Sequence, residues 1–256
     1  MHRFFVKPEN IIRDKEVIIT GDDVQHITRS LRLKSGDQMI ACDGKGTDYL
    51  VELIDLNQKE ITCRIIESRK SRGEPDIEVT LFQGLPKSDK MDLITQKCTE
   101  LGIRRIIPVE TGRTIVKLND KKAKRRVERW QKIAYEAAKQ SQRGKIPSIG
   151  PILNLNEALE MIKKEKYDLF LVPWEEARGN SIRQVLKNWN VDKKAGLKRI
   201  AYMIGPEGGL EEKEVQTLID LGAQPVTLGP RILRTETAGF VVLTVLMYEF
   251  LEMEDV

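Results

Sequence analysis

The chain has 256 residues, of which 40% are hydrophobic and 32% are charged, and its formal net charge is +4. This length accommodates one large domain or two ordinary ones, and the composition excludes disordered and fibrous proteins. The longest apolar run, near residues 240–248, is shorter than a membrane-spanning helix and is interpreted as a buried helix. The first residues lack the apolar segment of a secretory signal.

The three cysteines, Cys42, Cys63 and Cys98, are odd in number, far apart and without CxxC spacing. That pattern argues against a disulfide framework and against a zinc site. Only His2 and His26 are available as histidine ligands, so we expect no metal. We expect reduced thiols, a cytoplasmic location and no membrane association.

Residues 1–70 predict a small β-rich domain, because short apolar or alternating runs are separated by turn-rich pieces such as SGD and DGKGTD. The predicted strands are 3–6, 17–20, 38–42, 49–54 and 60–66. One helix is expected to place Val24, Ile27 and Leu31 on its apolar face. Residues 71–76, which contain Gly and Pro without periodicity, are predicted to be a linker.

Residues 77–256 predict a second domain in which strands and helices alternate. The predicted strands are 78–83, 104–109, 168–172, 199–204 and 225–228. The predicted helices are 90–101, 127–142, 210–221 and 235–251. Such alternation predicts a mainly parallel sheet with helices on both faces.

The basic residues are concentrated in the middle of the chain. Residues 85–145 carry seventeen basic and seven acidic side chains, and the densest part is KLNDKKAKRRVERWQK at 117–132. A basic stretch of this kind can neutralise the phosphates of a nucleic acid. The alternative interpretation is a solvated helix face.

Three segments that follow predicted strands stand out in the last third of the chain: LVPWEEAR, IGPEGGLEEKE and LGPRILRTETA. GPEGG is either a tight turn, with unusual backbone angles at Gly208 and Gly209, or a loop whose backbone a ligand approaches closely. In the third segment, Thr235 could simply cap the final helix. The chain has neither the G-x-G-x-x-G fingerprint nor a Walker loop, which argues against nucleotide-dependent dehydrogenases and kinases.

IGPEGGL followed by LGPRILRTETA resembles the C-terminal signature of the SPOUT class of RNA methyltransferases. Five further segments extend this resemblance, in order and over nearly the whole chain, to the RsmE family of 16S ribosomal RNA uracil-N3 methyltransferases. They are MHRFFV, HITRSLRLKSGD, KSDKMDLITQKCTELGIRRIIPVETGRTIVK, EAAKQSQR and IPSI.

The resemblance implies an α/β fold, in which a SPOUT-type parallel sheet with a C-terminal trefoil knot accompanies a small N-terminal PUA-like β-barrel domain. It also implies a homodimer whose interface completes the active site. Gly239, in the apolar final helix, would suit close approach in such an interface or equally in a core.

The reaction implied by the resemblance is methylation of N3 of a uridine in the decoding region of 16S ribosomal RNA, within the small ribosomal subunit. S-adenosyl-L-methionine is the implied cofactor, held by apolar walls and backbone groups. Carried onto this sequence, the residues of the cofactor pocket are Leu171, Val172, Pro173, Ile204, Gly205, Pro206, Glu207, Gly208, Gly209, Leu228, Gly229, Ile232 and Leu233.

Arg234 and Glu236 are the candidate catalytic residues. Uracil N3 carries a proton, so the protein must either remove that proton or stabilise the anion left by its loss. Arg234 could bind a base carbonyl or stabilise developing charge. Glu236 could act as the base, although its position also suits complementation of the helix N-terminus.

RNA is the expected partner, and N3 methylation requires an unpaired or flipped-out uridine. The candidate RNA-binding residues are Arg3, His26, Arg29, Arg32, Lys87, Lys90, Arg113 and Arg143. Arg29 and Arg32 are expected on one helix face, and His26 has an alternative, purely structural interpretation.

Two alternatives remain open from the sequence. One is a SPOUT methyltransferase that acts on another RNA or another base atom. The other is a non-catalytic RNA-binding or ribosome-assembly protein that keeps the fold.

Overall fold

The computed structural model describes residues 1–177, 179–189, 198–250 and 253. Contacts divide these residues into two units. The first unit comprises Met1–Glu74 and Ala138–Ile146, and the second comprises Pro75–Ala137 and the described residues from Pro147 onward. Within the described part of the chain, no helix is long and apolar enough to cross a bilayer.

The first unit is built on a six-stranded sheet with the spatial order β1-β4-β5-β6-β3-β2. Its strands are β1 (Arg3–Phe5), β2 (Ile11–Ile12), β3 (Glu16–Thr20), β4 (Gln38–Cys42), β5 (Thr47–Leu56) and β6 (Glu60–Lys70). All neighbours are antiparallel except β1 and β4. A short helix, α1 (Asp22–Gln25), continues as a π-helical turn from His26 to Ser30 and packs Val24 and Ile27 into the core.

The expected pairing of Arg29 and Arg32 on one helix face is wrong. Backbone hydrogen bonds from Leu31 to His26 and from Leu33 to Ile27 close the last turn, and Arg32 adopts a left-handed conformation with φ of 55°. Arg32 therefore lies beyond the helix, and the two arginines do not share a helix face.

The second unit is built on a parallel sheet with the order β10-β8-β7-β12-β11-β13, and β9 pairs with β8. Its strands are β7 (Ile77–Gly84), β8 (Arg105–Glu110), β9 (Ser148–Ile149), β10 (Leu153–Asn154), β11 (Leu169–Pro173), β12 (Lys198–Ile204) and β13 (Gln224–Val226). Its helices are α2 (Lys90–Glu100), α3 (Asp120–Gln140), α4 (Leu155–Glu165), α5 (Ile182–Asn188), α6 (Glu212–Asp220) and α7 (Thr235–Glu249). The last residues of α3 are grouped with the first unit.

Helices cover both faces of this sheet, as the alternating pattern predicts. One face packs Leu81 and Tyr202 against apolar residues of α2, α3, α5 and α7. The other face packs Phe82 and Met203 against α4 and α6. Because both faces are buried, the interiors of the central strands are mostly apolar, as in residues 200–204 of β12.

The final helix is largely buried, as its apolar run predicts, since residues 240–247 are all buried or half-buried. Val242, Leu243, Leu246 and Met247 are buried against the sheet and α2, whereas Tyr248 is 72% exposed. The predicted end of this helix at Leu251 lies outside the described residues. Gly239 faces the core, because the Tyr202 hydroxyl donates to its carbonyl oxygen over 3.1 Å.

Candidate functional site at the carboxyl ends of the strands

The three segments singled out in the sequence follow neighbouring parallel strands. β11 lies between β12 and β13, and Pro173 at the end of β11 pairs with Val226 at the end of β13. Parallel strands bring their carboxyl ends to one edge of the sheet, which is where open α/β folds bind ligands. The topology therefore gathers all three segments at this edge.

A cavity of about 480 Å³ lies between the segments that follow β11 and β13. Its walls are Pro173, Trp174, Glu175, Ala177, Thr227, Leu228, Gly229, Pro230, Arg231, Ile232, Leu233 and Ala238. Most of these residues are apolar or present backbone, and the volume is typical of pockets for small organic ligands. Ile232 is 91% exposed at the cavity.

The predicted cofactor residues fall into three groups. Five of them line the cavity: Pro173, Leu228, Gly229, Ile232 and Leu233. Three are buried in the sheet: Leu171, Val172 and Ile204. The remaining five, Gly205, Pro206, Glu207, Gly208 and Gly209, form a loop after β12 that we call the GPEGG loop.

Sequence reasoning missed several residues of the cavity wall, among them Trp174, Thr227 and Arg231. Trp174 directly follows β11, so its position after a strand was a usable signal, whereas Thr227 fell inside the predicted strand 225–228 although β13 ends at Val226. Ala238 could not have been found in this way, because it comes from the first turn of α7.

The GPEGG loop is shaped by close backbone approach. A Cβ atom on Gly205 would lie 2.7 Å from the Gly209 carbonyl carbon and 2.9 Å from the Leu210 nitrogen, so no larger residue fits there without a shift. Gly209 has φ of 72°, which glycine adopts without strain. The tight turn is confirmed, with its unusual backbone angle at Gly209 and not at Gly208, whereas close approach of a ligand to this backbone stays a prediction.

Thr235 ties the GPEGG loop to α7. Its hydroxyl donates to the carbonyl oxygen of Gly205 over 2.6 Å and accepts from Nε2 of the buried Gln83 over 2.9 Å. The helix N-cap is Arg234, so the suggestion that Thr235 caps the helix is wrong. Thr235 instead connects the ends of β7 and β12 to the start of α7.

Glu207 is held from the loop that follows β7. Its carboxylate accepts from the backbone nitrogen of Lys87 at 3.1 Å, and Nζ of Lys90 lies 3.0 Å from Oε1. Burial alone would raise the pKa of Glu207, but the hydrogen bonds from Lys90 and the backbone outweigh it and leave the pKa below its ordinary value. The same contact with Glu207 raises the pKa of Lys90.

Glu236 and Arg234 differ sharply in their surroundings. Glu236 is 9% exposed in the first turn of α7, and its Oε2 atom has no hydrogen-bond partner among the described residues. The nearest cation is Lys90, whose Nζ lies 3.5 Å from that oxygen. Arg234 is exposed, and the described part of the chain gives its guanidinium no ion-pair partner.

The other side of the GPEGG loop is fastened to the segment that follows β8. Nη1 of Arg113 donates to the Gly208 carbonyl oxygen over 2.7 Å. The buried carboxylate of Glu214 accepts from the backbone nitrogens of Gly112 and Glu211, both over 2.7 Å. Contacts from several separate segments thus fix this loop.

In the first unit, two of the candidate RNA-binding arginines are engaged with carboxylates. Arg3 donates two hydrogen bonds to Asp48, and its side chain is 8% exposed. Arg143 pairs with Glu74 through two contacts of 2.8 and 3.0 Å and is 3% exposed. Both guanidinium groups have structural partners, and their contact with RNA stays a prediction.

The remaining candidates of the first unit are accessible. His26, Arg29 and Arg32 are exposed, and the His26 ring contacts Phe4 edge-on at 5.9 Å between centroids. In the second unit, Lys87 and Arg113 are exposed. A further basic surface at the start of α3 includes Lys122, Arg125 and Arg126, which line a shallow groove with Val116, Lys117 and Leu118.

Comparisons with known proteins identify both parts of the chain. Residues 73–247 match the family model of the RNA methyltransferase domain, and residues 19–66 match that of the RNA methyltransferase PUA domain. Two similar proteins are both named ribosomal RNA small subunit methyltransferase E. The one from Bacillus subtilis is 36% identical over 97% of this chain and 97% of its own length. The one from Synechocystis is 34% identical over 94% of this chain and 76% of its own length.

A solved structure is similar over the same range. It is the crystal structure of a ribosomal RNA small subunit methyltransferase E from Neisseria gonorrhoeae bound to S-adenosyl methionine. It is 32% identical to this chain, covers 97% of each chain and superimposes with a TM-score of 0.81.

Proposed function

Because the chain belongs to the ribosomal RNA small subunit methyltransferase E family, we propose that it methylates N3 of a uridine in the decoding region of 16S ribosomal RNA, with S-adenosyl-L-methionine as cofactor. The observation that carries this proposal is the cavity at the ends of β11 and β13. Arg234 and Glu236 directly follow the segment after β13 that lines this cavity.

The cavity fits the cofactor in size and in chemistry. Leu228, Leu233 and Pro173 offer apolar surface for an adenine ring, and the loop that carries Gly229 offers backbone groups for hydrogen bonds to the edge of the ring. When bound there, S-adenosylmethionine supplies an electrophilic methyl group. The protein contributes by holding the cofactor and the base at close range.

The proton on uracil N3 has to leave as the bond to the methyl carbon forms. Oε2 of Glu236, which has no hydrogen-bond partner among the described residues, can accept that proton. Arg234, which is exposed beside the cavity segment, donates hydrogen bonds to a uracil carbonyl oxygen and stabilises the negative charge on the ring. The methyl group would then replace the proton on N3, the methyl–sulfur bond of the cofactor would break to leave S-adenosylhomocysteine, and the proton would remain on Glu236.

RNA binding belongs to both units in this proposal. Exposed Arg29, Arg32 and His26 of the first unit contact folded RNA, while Lys87 and Arg113 contact phosphates near the methylated base. The basic surface of α3 adds electrostatic attraction that weakens as salt concentration rises. The substrate is the RNA within the small ribosomal subunit, and the enzyme acts in the cytoplasm.

The protein is proposed to be a homodimer with a knotted C-terminal region. Two exposed apolar side chains support the dimer, because water solvates such groups poorly. They are Tyr248 near the end of α7 and Ile232 just before its start. The trefoil knot is supported by the return of the chain from β13 to the end of β12, where Thr235 meets Gly205. Light scattering after size-exclusion chromatography tests the dimer directly.

The experiment that tests the function is transfer of labelled methyl from S-adenosylmethionine to small subunits that lack the modification, followed by mass spectrometry of the nucleosides. We expect 3-methyluridine at one position. A different methylated nucleoside would indicate another RNA or base atom, and cofactor binding without transfer to any RNA would indicate a non-catalytic assembly protein.

A further inference from the structure

Lys90 lies between two carboxylates that belong to different segments of the site. Its Nζ atom is 3.0 Å from Oε1 of Glu207 and 3.5 Å from Oε2 of Glu236. Lys90 is the first residue of α2, Glu207 lies in the GPEGG loop, and Glu236 lies in the first turn of α7. One ammonium group thus joins three segments that are far apart in sequence.

We infer that Lys90 is a positioning residue for methyl transfer. It fixes the position of the GPEGG loop relative to the Arg234–Glu236 segment and does not contact RNA. This inference rests on the proposed function, because Glu207 and Glu236 matter only if these segments hold the cofactor and the base.

The burial of Glu236 gives the first argument. A carboxylate that is removed from water is unfavourable unless a cation or hydrogen-bond donors compensate for the lost hydration. Glu236 is 9% exposed, and among the described residues its Oε2 atom has no hydrogen-bond partner and one ion-pair partner, the Lys90 ammonium. The first turn of α7 offers further stabilisation through its backbone N–H groups. Removal of Lys90 would leave this carboxylate without its cation.

The local charge gives the second argument. Lys90 carries one positive charge, and its two partners carry one negative charge each, so the cluster has an excess of one negative charge. A phosphate is repelled by such a cluster, whereas an unpaired lysine attracts it. Lys87, only three residues away, is exposed and better suited to reach a phosphate.

The connection to Thr235 gives the third argument. The GPEGG loop and α7 are already joined by the hydrogen bond from Thr235 to Gly205. Lys90 adds a second link between the same two segments, at Glu207 and Glu236. Two contacts prevent the GPEGG loop and α7 from rotating relative to each other, whereas one contact alone would allow that rotation.

The test compares Lys90→Met with Lys90→Arg, and uses Lys97→Met as the matched control. Lys97 lies on the same helix and pairs with Glu100 at the surface, away from the site. Three quantities are measured for each purified full-length variant: affinity for S-adenosylmethionine by calorimetry without RNA, kcat and KM for methyl transfer, and RNA affinity at several salt concentrations.

We expect Lys90→Met to lower kcat by about tenfold to a hundredfold, which is the range for a displaced reacting group. Cofactor affinity should fall as well, while RNA affinity and its salt dependence stay as in the wild type. Lys90→Arg keeps the positive charge and should recover most of the lost kcat. Lys97→Met should match the wild type in all three measurements.

A double-variant comparison checks that Lys90 acts through its partners. In a Lys90→Met background, the additional change Glu207→Gln should cost less cofactor affinity than it does in the wild type, because the link is already broken. Equal effects in both backgrounds would contradict the inference.

Two further results would overturn it. A fall in RNA affinity, together with a decrease of about one in the slope of log affinity against log salt concentration, would show that Lys90 contacts a phosphate. Wild-type kcat and cofactor affinity in Lys90→Met, with only a lower melting temperature, would show a purely structural ion pair. If the wild type itself transfers no methyl group to RNA, the proposed function fails and this inference fails with it.

Discussion

The Thr235 hydroxyl donates a 2.6 Å hydrogen bond to the carbonyl oxygen of Gly205, so the first turn of α7 is fastened to the loop that follows β12. The same hydroxyl accepts from the buried amide of Gln83. These two hydrogen bonds join the two central strands of the sheet to the final helix beside the cavity.

Thr235→Val is expected to destabilise the protein by about 1–3 kcal/mol, because the buried Gln83 amide and the Gly205 carbonyl each lose a partner while the side-chain shape is kept. Denaturant unfolding followed by circular dichroism measures this change. Thr217→Val serves as the control, because it removes a hydroxyl that donates to the Lys213 carbonyl oxygen on the exposed side of α6. An equal effect of the two changes would contradict the bridging role of Thr235.

Gly205→Ala is expected to weaken binding of S-adenosylmethionine by roughly tenfold or more, since a methyl group 2.7 Å from the Gly209 carbonyl carbon has to displace the loop backbone. Gly208→Ala provides a graded comparison. Its Cβ would lie 3.2 Å from Cβ and 3.4 Å from Cδ of Arg113, which is a tight side-chain contact rather than an overlap with backbone atoms. Calorimetric titration should therefore show a clearly smaller loss for Gly208→Ala, and the reverse order would show that the loop does not hold the cofactor.

Arg143→Met is expected to destabilise the first unit by about 3–5 kcal/mol, because it leaves the carboxylate of Glu74 buried without its cation. Arg64→Met breaks an ion pair with Glu52 whose arginine is 64% exposed, and should cost less than about 1 kcal/mol. Thermal unfolding measures both. A variant Arg143→Met with wild-type stability and weakened RNA binding would show instead that this arginine serves the RNA.

Glu165→Gln is expected to show a pH-dependent loss of stability. Burial raises the pKa of Glu165, but the hydrogen bonds from Arg105 and Tyr167 outweigh burial and lower the pKa below its ordinary value. A lowered pKa stabilises the fold above the ordinary value of about 4.3, and this contribution disappears as the pH falls through the lowered value.

At pH 7 the variant should therefore be less stable than the wild type by about 1 kcal/mol, a figure that allows for partial solvent screening. The difference should shrink steadily below about pH 4. Denaturant unfolding at pH 7, 5 and 3 tests this, with Glu160→Gln on the exposed side of α4 as the control. A difference that is independent of pH would contradict the argument.

The parts of the fold that the sequence predicts are those in which burial imposes a regular pattern. The five predicted strands of the second unit correspond to β7, β8, β11, β12 and β13, and the central ones are recognisable because strands buried on both faces are rich in apolar residues. The start of α3 was placed too late, since the residues from Asp120 to Arg126 are almost uniformly polar and show no apolar period.

Two short helices were missed although their sequences carried a signal. α4 and α5 both begin with a capping box, formed by Asn154 with Glu157 and by Ser181 with Gln184. A polar residue followed three positions later by Glu or Gln marks the start of a helix. The strands β9 and β10 have two residues each and leave no such pattern.

The site itself could be predicted only in outline. The strand ends were identified because parallel strands collect ligand-binding loops at one edge. The partners of the charged residues were not predictable, because Lys90 and Glu236 are brought together by the order of strands rather than by proximity in sequence. For the same reason, the ion pair of Arg3 with Asp48 was not foreseen.

The contacts that fix the GPEGG loop also affect the free energy of ligand binding. Lys87, Lys90, Arg113 and Thr235 already hold this loop before any ligand arrives. A ligand that meets a preorganised backbone loses less conformational entropy on the protein side than one that has to order a loose segment. Affinity at this edge of the sheet should therefore be sensitive to distant substitutions that loosen the loop, even where those substitutions leave every wall of the cavity intact.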